Sequence, residues 1–285
     1  LREKRIGNGG RFPVSKSILS DVGDIIDGAF GLKRIDGQGI GKAPHFRHRE
    51  SCRTVSNEPV PYFDGKANAL IRKMYEKIES NLNADRSPSK KNWCLRKSYA
   101  KTGESKAKNR DKKIEVKLER KIVTIPDGWF NQVPTASGLV NKHSDKRGSI
   151  DLVHRCDGSS YEFIELKVRS DNPLFAAMEI LQYGILYILA RTNKQVKDVG
   201  EDKKLLKAKA IHLKVLAPTN YYKEFKLEWL ESGINDGLKH FLVEINCGFL
   251  MDFEFEAFPS CFSLSPFPTV EVIRKALKAR KPVYP

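Results

Sequence analysis

Cysteine is scarce and odd in number: five residues, at 52, 94, 156, 247 and 261, with no Cys-x-x-Cys pair. That argues against a disulfide framework and against a cysteine-rich zinc or iron–sulfur site. A reducing cytoplasm is the expected location. The opening residues, Leu1 to Arg5, lead into no apolar stretch, so no signal peptide is expected. The longest apolar run, Leu174 to Ala190, is interrupted by Glu179 and Gln182. A spanning helix needs about 20 mostly apolar residues, so this run reads as a buried helix and no membrane partner is expected. Acidic residues are in deficit: 35 Asp+Glu against 51 Lys+Arg, a formal net charge of +16. Such a surplus favours a polyanionic partner, because each Lys or Arg that neutralises a phosphate releases a condensed counterion. Hydrophobic content of 40% excludes disorder of the whole chain, and 285 residues suffice for one sizeable core with an accessory region.

Residues 1–66 are rich in Gly, Arg and Ser without sustained periodicity, and read as a basic, loop-rich N-terminal extension with one small helix over Ile18 to Phe30. Gly37-Gln-Gly39-Ile-Gly41-Lys42 fails as a phosphate loop: Asp36 stands five before Gly41, Ala43 follows Lys42, and no strong strand precedes it. His45, His48 and Cys52 have loosely ligand-like spacing but no fourth ligand, and read as a basic surface loop. The second region, 67–285, divides into a helical, basic lead-in (67–110), a core (111–258) and a C-terminal tail (259–285). In the lead-in, Ala69, Ile71, Met74, Ile78 and Leu82 mark an amphipathic helix over 66–83. Arg86 to Arg110 follows as a loop or exposed arm, with Lys90, Lys91, Arg96 and Lys97 as candidate phosphate contacts.

From Asp111 the elements alternate. A helix runs to Thr124 with Ile114, Leu118, Lys121 and Ile122 on one face. Strands follow at 129–133, 149–154 and 161–168, then a helix from Pro173 to about Arg191, capped by Asn172. A strand at 207–216, a helix at 227–245 and a strand at 250–255 complete the series. The expected fold class is α/β: a mixed sheet of about five strands flanked by helices.

The chemistry concentrates in Ser149-Ile-Asp151 and in Phe163-Ile-Glu165-Leu166-Lys167. Alternation along a strand puts Glu165 and Lys167 on one side, and the preceding strand brings Asp151 to the same end of the hairpin. Charges embedded among Ile150, Leu152, Phe163, Ile164 and Val168 are costly unless paired or bound to a metal. Two carboxylates and the Leu166 carbonyl form an all-oxygen set suited to Mg²⁺. An ammonium beside them can orient a water and stabilise charge developing on a phosphate.

This pattern resembles the PD-(D/E)xK nuclease superfamily, with its restriction-endonuclease-like fold. Glu165-Leu166-Lys167 is the Glu-x-Lys element and Asp151 the upstream acid, with Ile150 where the family name has proline. The resemblance implies a further acid from the first helix. Glu119 matches that role best, with Glu115 the rival one turn earlier. In the RecB-like/Cas4-like branch the helix after Glu-x-Lys carries a Gln near a Tyr, and Gln182-Tyr183, with Tyr187 beyond, resembles that arrangement. The iron–sulfur cysteines of some relatives are absent. The resemblance thus implies a Mg²⁺-dependent deoxyribonuclease, with Mn²⁺ as a substitute. Asp151, Glu165, Leu166 (carbonyl) and Glu119 would hold the metal, Lys167 would position water, and Gln182 would support it. Lys142, His143, Lys146 and Arg147, just before Asp151, are the candidate DNA contacts. A homodimer or a separate motor subunit is compatible with this reading. Its rivals are a catalytically silent DNA-binding or assembly module and an RNA-processing nuclease on the same fold.

Overall fold

The turn between the two central strands is set by one side chain. Asp157 Oδ1 accepts the amides of Ser159 (2.6 Å) and Ser160 (2.8 Å), folding the chain back after Arg155. The hairpin so formed joins β2 (Ser149–Arg155) to β3 (Ser160–Leu166) in an antiparallel register that pairs Leu152 with Ile164. The computed structural model describes residues 17–32, 45–57, 66–83, 85–95, 110–140, 148–197 and 203–285. Within them the elements run α1 (Val22–Ala29), α2 (Arg49–Asn57), α3 (Ala67–Ser80), α4 (Arg110–Ile122), β1 (Trp129–Pro134), β2, β3, α5 (Pro173–Thr192), α6 (Lys194–Lys197), β4 (Ala210–Pro218), α7 (Glu228–Glu244), β5 (Leu250–Phe258), α8 (Val270–Lys278) and β6 (Lys281–Pro282). The six strands lie in sequence order. β1, β2 and β3 are antiparallel, β3, β4 and β5 are parallel, and β6 returns antiparallel beside β5. The class is α/β with a mixed sheet, as expected. The sixth strand is the departure: two residues in the C-terminal tail pair with Glu256 and Ala257.

The parallel half needs crossovers, and α5 and α7 supply them. Asn172 caps α5 by accepting the Phe175 amide (2.9 Å), with Pro173 in the first turn. Beyond that turn α5 is buried almost all round, against β3 and β4. By length and composition it would cross a membrane, but it is a core helix. Its face of the sheet forms the larger core with α3 and α7, while α4 and α8 cover part of the opposite face with Leu118, Ile122, Leu166, Phe258 and Ile273.

Four sequence expectations change. The described parts of the N-terminal region, 17–32 and 45–57, belong to the main core, since Ile18, Val22, Ile26, Phe46, Cys52 and Val55 are buried in it. Asn172 Nδ2 donates to the carbonyls of Phe46 and Arg47, tying that region to the start of α5. Residues 85–95 are folded against the sheet. Trp93 is buried, stacked near Phe163, and its amide donates to the Pro134 carbonyl (2.7 Å). Lys90 and Lys91 remain exposed, and Arg96 and Lys97 lie outside the described residues. On α4, Lys121 is exposed, while Val123 and Ile125 just beyond the helix complete its apolar face. On α3, Ala67 and Leu70 are buried and Ala69 is exposed.

Helix α7 crosses α3 at Gly237, where a Cβ would lie 2.8 Å from the Ala67 carbonyl carbon and 2.9 Å from the Ala67 Cβ. Backbone cannot swing aside as a side chain can. Gly237→Ala should therefore destabilise the fold by about 1–3 kcal/mol. A urea melt checks this, with a lower midpoint at unchanged m-value expected.

Candidate active site

β2 and β3 deliver Asp151 and Glu165 to the same end of their hairpin, one step beyond the last paired residues. The Leu166 amide donates to Asp151 Oδ2 (3.2 Å), fixing that carboxylate across the strands. Lys167 follows the end of β3 and is buried, with 4% of its surface exposed. Its Nζ lies 2.7 Å from Glu165 Oε1, 3.1 Å from Glu179 Oε2 and 3.6 Å from Asp171 Oδ2. These residues line a cleft of about 740 Å³ together with Glu115 and Glu119 of α4, Gln132 of β1, Tyr183 of α5 and Arg47. Asp151, Glu165, Lys167 and Glu119 therefore come together, as the sequence reading expected.

Helix α4 presents Glu115 and Glu119 on one face, a turn apart, and their partners separate their roles. Glu115 accepts the Val168 amide (3.2 Å) and the Ser170 hydroxyl (2.8 Å), so it holds the loop after β3. Glu119 accepts Asn131 Nδ2 (2.7 Å) and Gln132 Nε2 (3.1 Å). That Gln132 nitrogen also lies 3.5 Å from Asp151 Oδ1, so the amide group bridges two acids. Ser149 Oγ donates to Gln132 Oε1 from the other side (2.8 Å). Gln132 adopts φ 48°, a left-handed backbone that non-glycine residues rarely take, and β1 does not pair there with β2.

Electrostatics follow from crowding acids in a confined space. Burial, reinforced by the Asp151 charge, pushes the Glu119 carboxyl up to about 8. Burial pushes Glu115 up to about 7 against the opposing pull of Lys167. Burial also raises Asp151, and burial with the neighbouring Asp151 raises Glu165 well above the carboxylate range. For Lys167 burial works the other way, but Glu165, Glu179 and Asp151 outweigh it and hold the ammonium charged. One buried lysine thus faces several carboxylates, an arrangement that favours a further cation.

Gln182 is half-buried and outside the cleft lining; the helix turns Glu179 and Tyr183 toward the cleft instead. These two are four residues apart, one helical turn, and that spacing is the signal that would have found them. Gln132 carried no such signal, because its placement depends on an unusual backbone angle. Arg47 is positioned by Asn172, 125 residues away in sequence. Lys142, His143, Lys146 and Arg147 lie outside the described residues.

A different group, His154, Cys156 and Glu162, brings three ligating atoms within 4.8 Å of one another. Its donors are already engaged. His154 Nδ1 lies 2.8 Å from Glu162 Oε2, and His154 Nε2 lies 3.1 Å from the Asp127 carbonyl. Arg280 and Lys214 neutralise Glu162 at 2.6 and 3.3 Å. Burial raises the Cys156 thiol to about 11, away from the thiolate a metal requires. This is an ion-pair network rather than a metal centre.

Comparison of the chain with protein-family models, curated proteins and solved structures yields no match.

Proposed function

We propose that the protein is a metal-dependent nuclease that hydrolyses phosphodiester bonds in DNA. The observation that carries this reading is the convergence of Asp151, Glu165 and Lys167 from two adjacent strands, with Glu119 opposite, in one cleft of a chain with net charge +16. The residues fit a hard divalent cation, because their donors are oxygens and one buried lysine faces several carboxylates in the cleft. Asp151 and Glu165, with the Leu166 carbonyl, would hold Mg²⁺ or Mn²⁺, and Glu119 would complete the set where Gln132 now bridges it to Asp151. When bound, such an ion supplies charge stabilisation at the scissile phosphate.

The remaining work falls to side chains. Lys167, charged and held by Glu165 and Glu179, orients the attacking water and offsets charge growing on the phosphate. Glu179 is a positioning residue that acts through Lys167. Arg47 packs its guanidinium on Phe175 (5.0 Å) at the cleft and meets the incoming phosphate backbone.

The test is cleavage of supercoiled and linear DNA with Mg²⁺, Mn²⁺ or EDTA, for wild type beside Glu165→Gln. Metal-dependent cutting that disappears in the variant is expected. Binding without cutting by the wild type would replace the reading with a silent DNA-binding module, and a preference for RNA would replace the substrate. Arg47→Ala should weaken DNA binding and flatten the slope of log K against log salt by about 0.9, the value for one lost phosphate contact on duplex DNA. Titrations at several salt concentrations in EDTA give that slope, and an unchanged one removes Arg47 from the interface.

A further inference from the structure

A second cleft, of about 650 Å³, is built from segments that also line the catalytic one. Three segments contribute residues to both. After β3, Lys167 and Asp171 face the catalytic cleft, and Val168 and Arg169 face the second. On α4, Glu115 and Glu119 face the first, and Asp111 and Ile114 the second. At the start of α2, Arg47 faces the first and Arg49 the second. One turn of helix rises about 5 Å, so the clefts are neighbouring stations for a flexible chain crossing this end of the sheet.

The second cleft has the chemistry of a nucleotide site. Arg169 is exposed and makes no ion pair among the described residues, so its charge is available to a phosphate. Arg49 adds a second cation, shared with Glu224. Phe262, stacked on Phe258 at 4.5 Å, and Leu264 supply an apolar wall. Asn220, exposed at the mouth, offers both a donor and an acceptor. Tyr221 contributes ring surface to the lining; it is only 5% exposed, and its hydroxyl is enclosed within the protein with no hydrogen-bond partner among the described residues.

Resting on the nuclease reading above, we infer that this cleft receives one unpaired nucleotide of the strand being cut, next to the scissile phosphate. Its phosphate lies against Arg169 and its base against Phe262 and Leu264. A base held in a Watson–Crick pair cannot enter such a cleft without leaving the stack, and unpairing costs least where no partner strand exists. The preferred substrates are therefore DNAs with unpaired nucleotides beside the cut, such as overhangs or flaps, rather than blunt duplex.

The test compares Mg²⁺-dependent cleavage rates on a blunt duplex and on the same duplex carrying a 5′ or 3′ single-stranded overhang. Wild type is measured beside Arg169→Ala and Ser263→Trp, the latter chosen to fill the cleft from an exposed loop. Wild type should cut one of the overhang substrates roughly tenfold faster than blunt duplex, within the range for stacking one base on an aromatic wall. That ratio should fall toward one in both variants, with melting temperatures confirming that they fold. Cleavage by wild type with no overhang preference, or a preference that both folded variants keep, overturns the nucleotide site and leaves the nuclease reading standing. If wild type cuts none of these DNAs under any metal condition, the nuclease reading fails and the inference falls with it.

Discussion

Lys167→Met should lower metal-dependent DNA cleavage by about 10²–10³-fold, the loss typical of removing one preorganised electrostatic group from an active site. Methionine keeps the length and apolar stem of lysine while deleting the ammonium. Nothing else in the described cleft replaces that charge at the same place, since Lys167 Nζ lies within 3.1 Å of both Glu165 and Glu179. The folded state should survive. With the ammonium gone, the raised carboxyls of Glu165 and Asp151 shift further toward their protonated, neutral forms, which limits the penalty for buried charge. DNA binding in EDTA should stay near the wild-type value, because Lys167 is buried and the surface cations are untouched. Glu179→Gln should behave as a milder version, keeping a hydrogen-bond acceptor for Lys167 but removing one of its charges. It should lower kcat more than it raises KM, whereas loss of a substrate contact would raise KM. Single-turnover kinetics with circular dichroism of each variant checks both expectations. Full activity in Lys167→Met would remove the lysine from the chemistry.

How much of this was legible beforehand depends on the distance over which each residue is placed. Asp151, Glu165 and Lys167 sit on one hairpin, and strand alternation alone brings them to one end, so their grouping followed from the local pattern. Glu119 came from the family resemblance, with Glu115 as its rival, and both line the cleft. Strands β1 to β5 and helices α3, α4, α5 and α7 read correctly because each carries its own periodicity and boundary signals, such as Asn172-Pro173 at the start of α5; α2, α8 and β6 fell in stretches read as loop or tail. What escaped was long-range or conformational. Arg47 reaches the cleft because Asn172 holds its carbonyl, and nothing near position 47 announces that contact. Gln132 matters because of a left-handed backbone angle that its residue type disfavours. The basic stretch after Arg86 looked like a solvated arm, yet Trp93 within it is buried against Phe163 and Tyr187. A single large apolar side chain outweighed the surrounding charge there. Gln182 was singled out by resemblance, whereas the cleft receives Glu179 and Tyr183 from that helix.

Magnesium should stabilise this protein strongly at alkaline pH and little at pH 5.5. The sign follows from the carboxyls. Glu119 is raised to about 8 and Glu115 to about 7, both from ordinary values near 4.5, with burial the leading cause. The folded protein therefore keeps protons that the unfolded chain releases, and stability falls as pH rises wherever that difference exists. The contribution is fully present below about pH 4.5 and is lost as the pH climbs through 7 and 8. Without metal, thermal midpoints should thus decline between pH 6 and 9. Glu231, raised to about 7 by burial elsewhere in the fold, adds to that decline but lies outside the catalytic cleft. A divalent cation separates the two sources, because it binds the deprotonated acids of the cleft and not Glu231. At pH 8.5, saturating Mg²⁺ should raise the midpoint by at least about 4 °C, equivalent to one or two kcal/mol for a chain of this size. At pH 5.5, protons compete for the same oxygens and the rise should shrink to about 1 °C or less. Glu119→Gln should flatten the metal-free profile above pH 7 and reduce the magnesium response, since it removes an acid raised to about 8 whose neutral form still accepts the Asn131 hydrogen bond. Differential scanning fluorimetry across pH, with and without Mg²⁺, reads all three effects. A magnesium response of equal size at both pH values would mean that the cation binds somewhere other than these buried carboxylates.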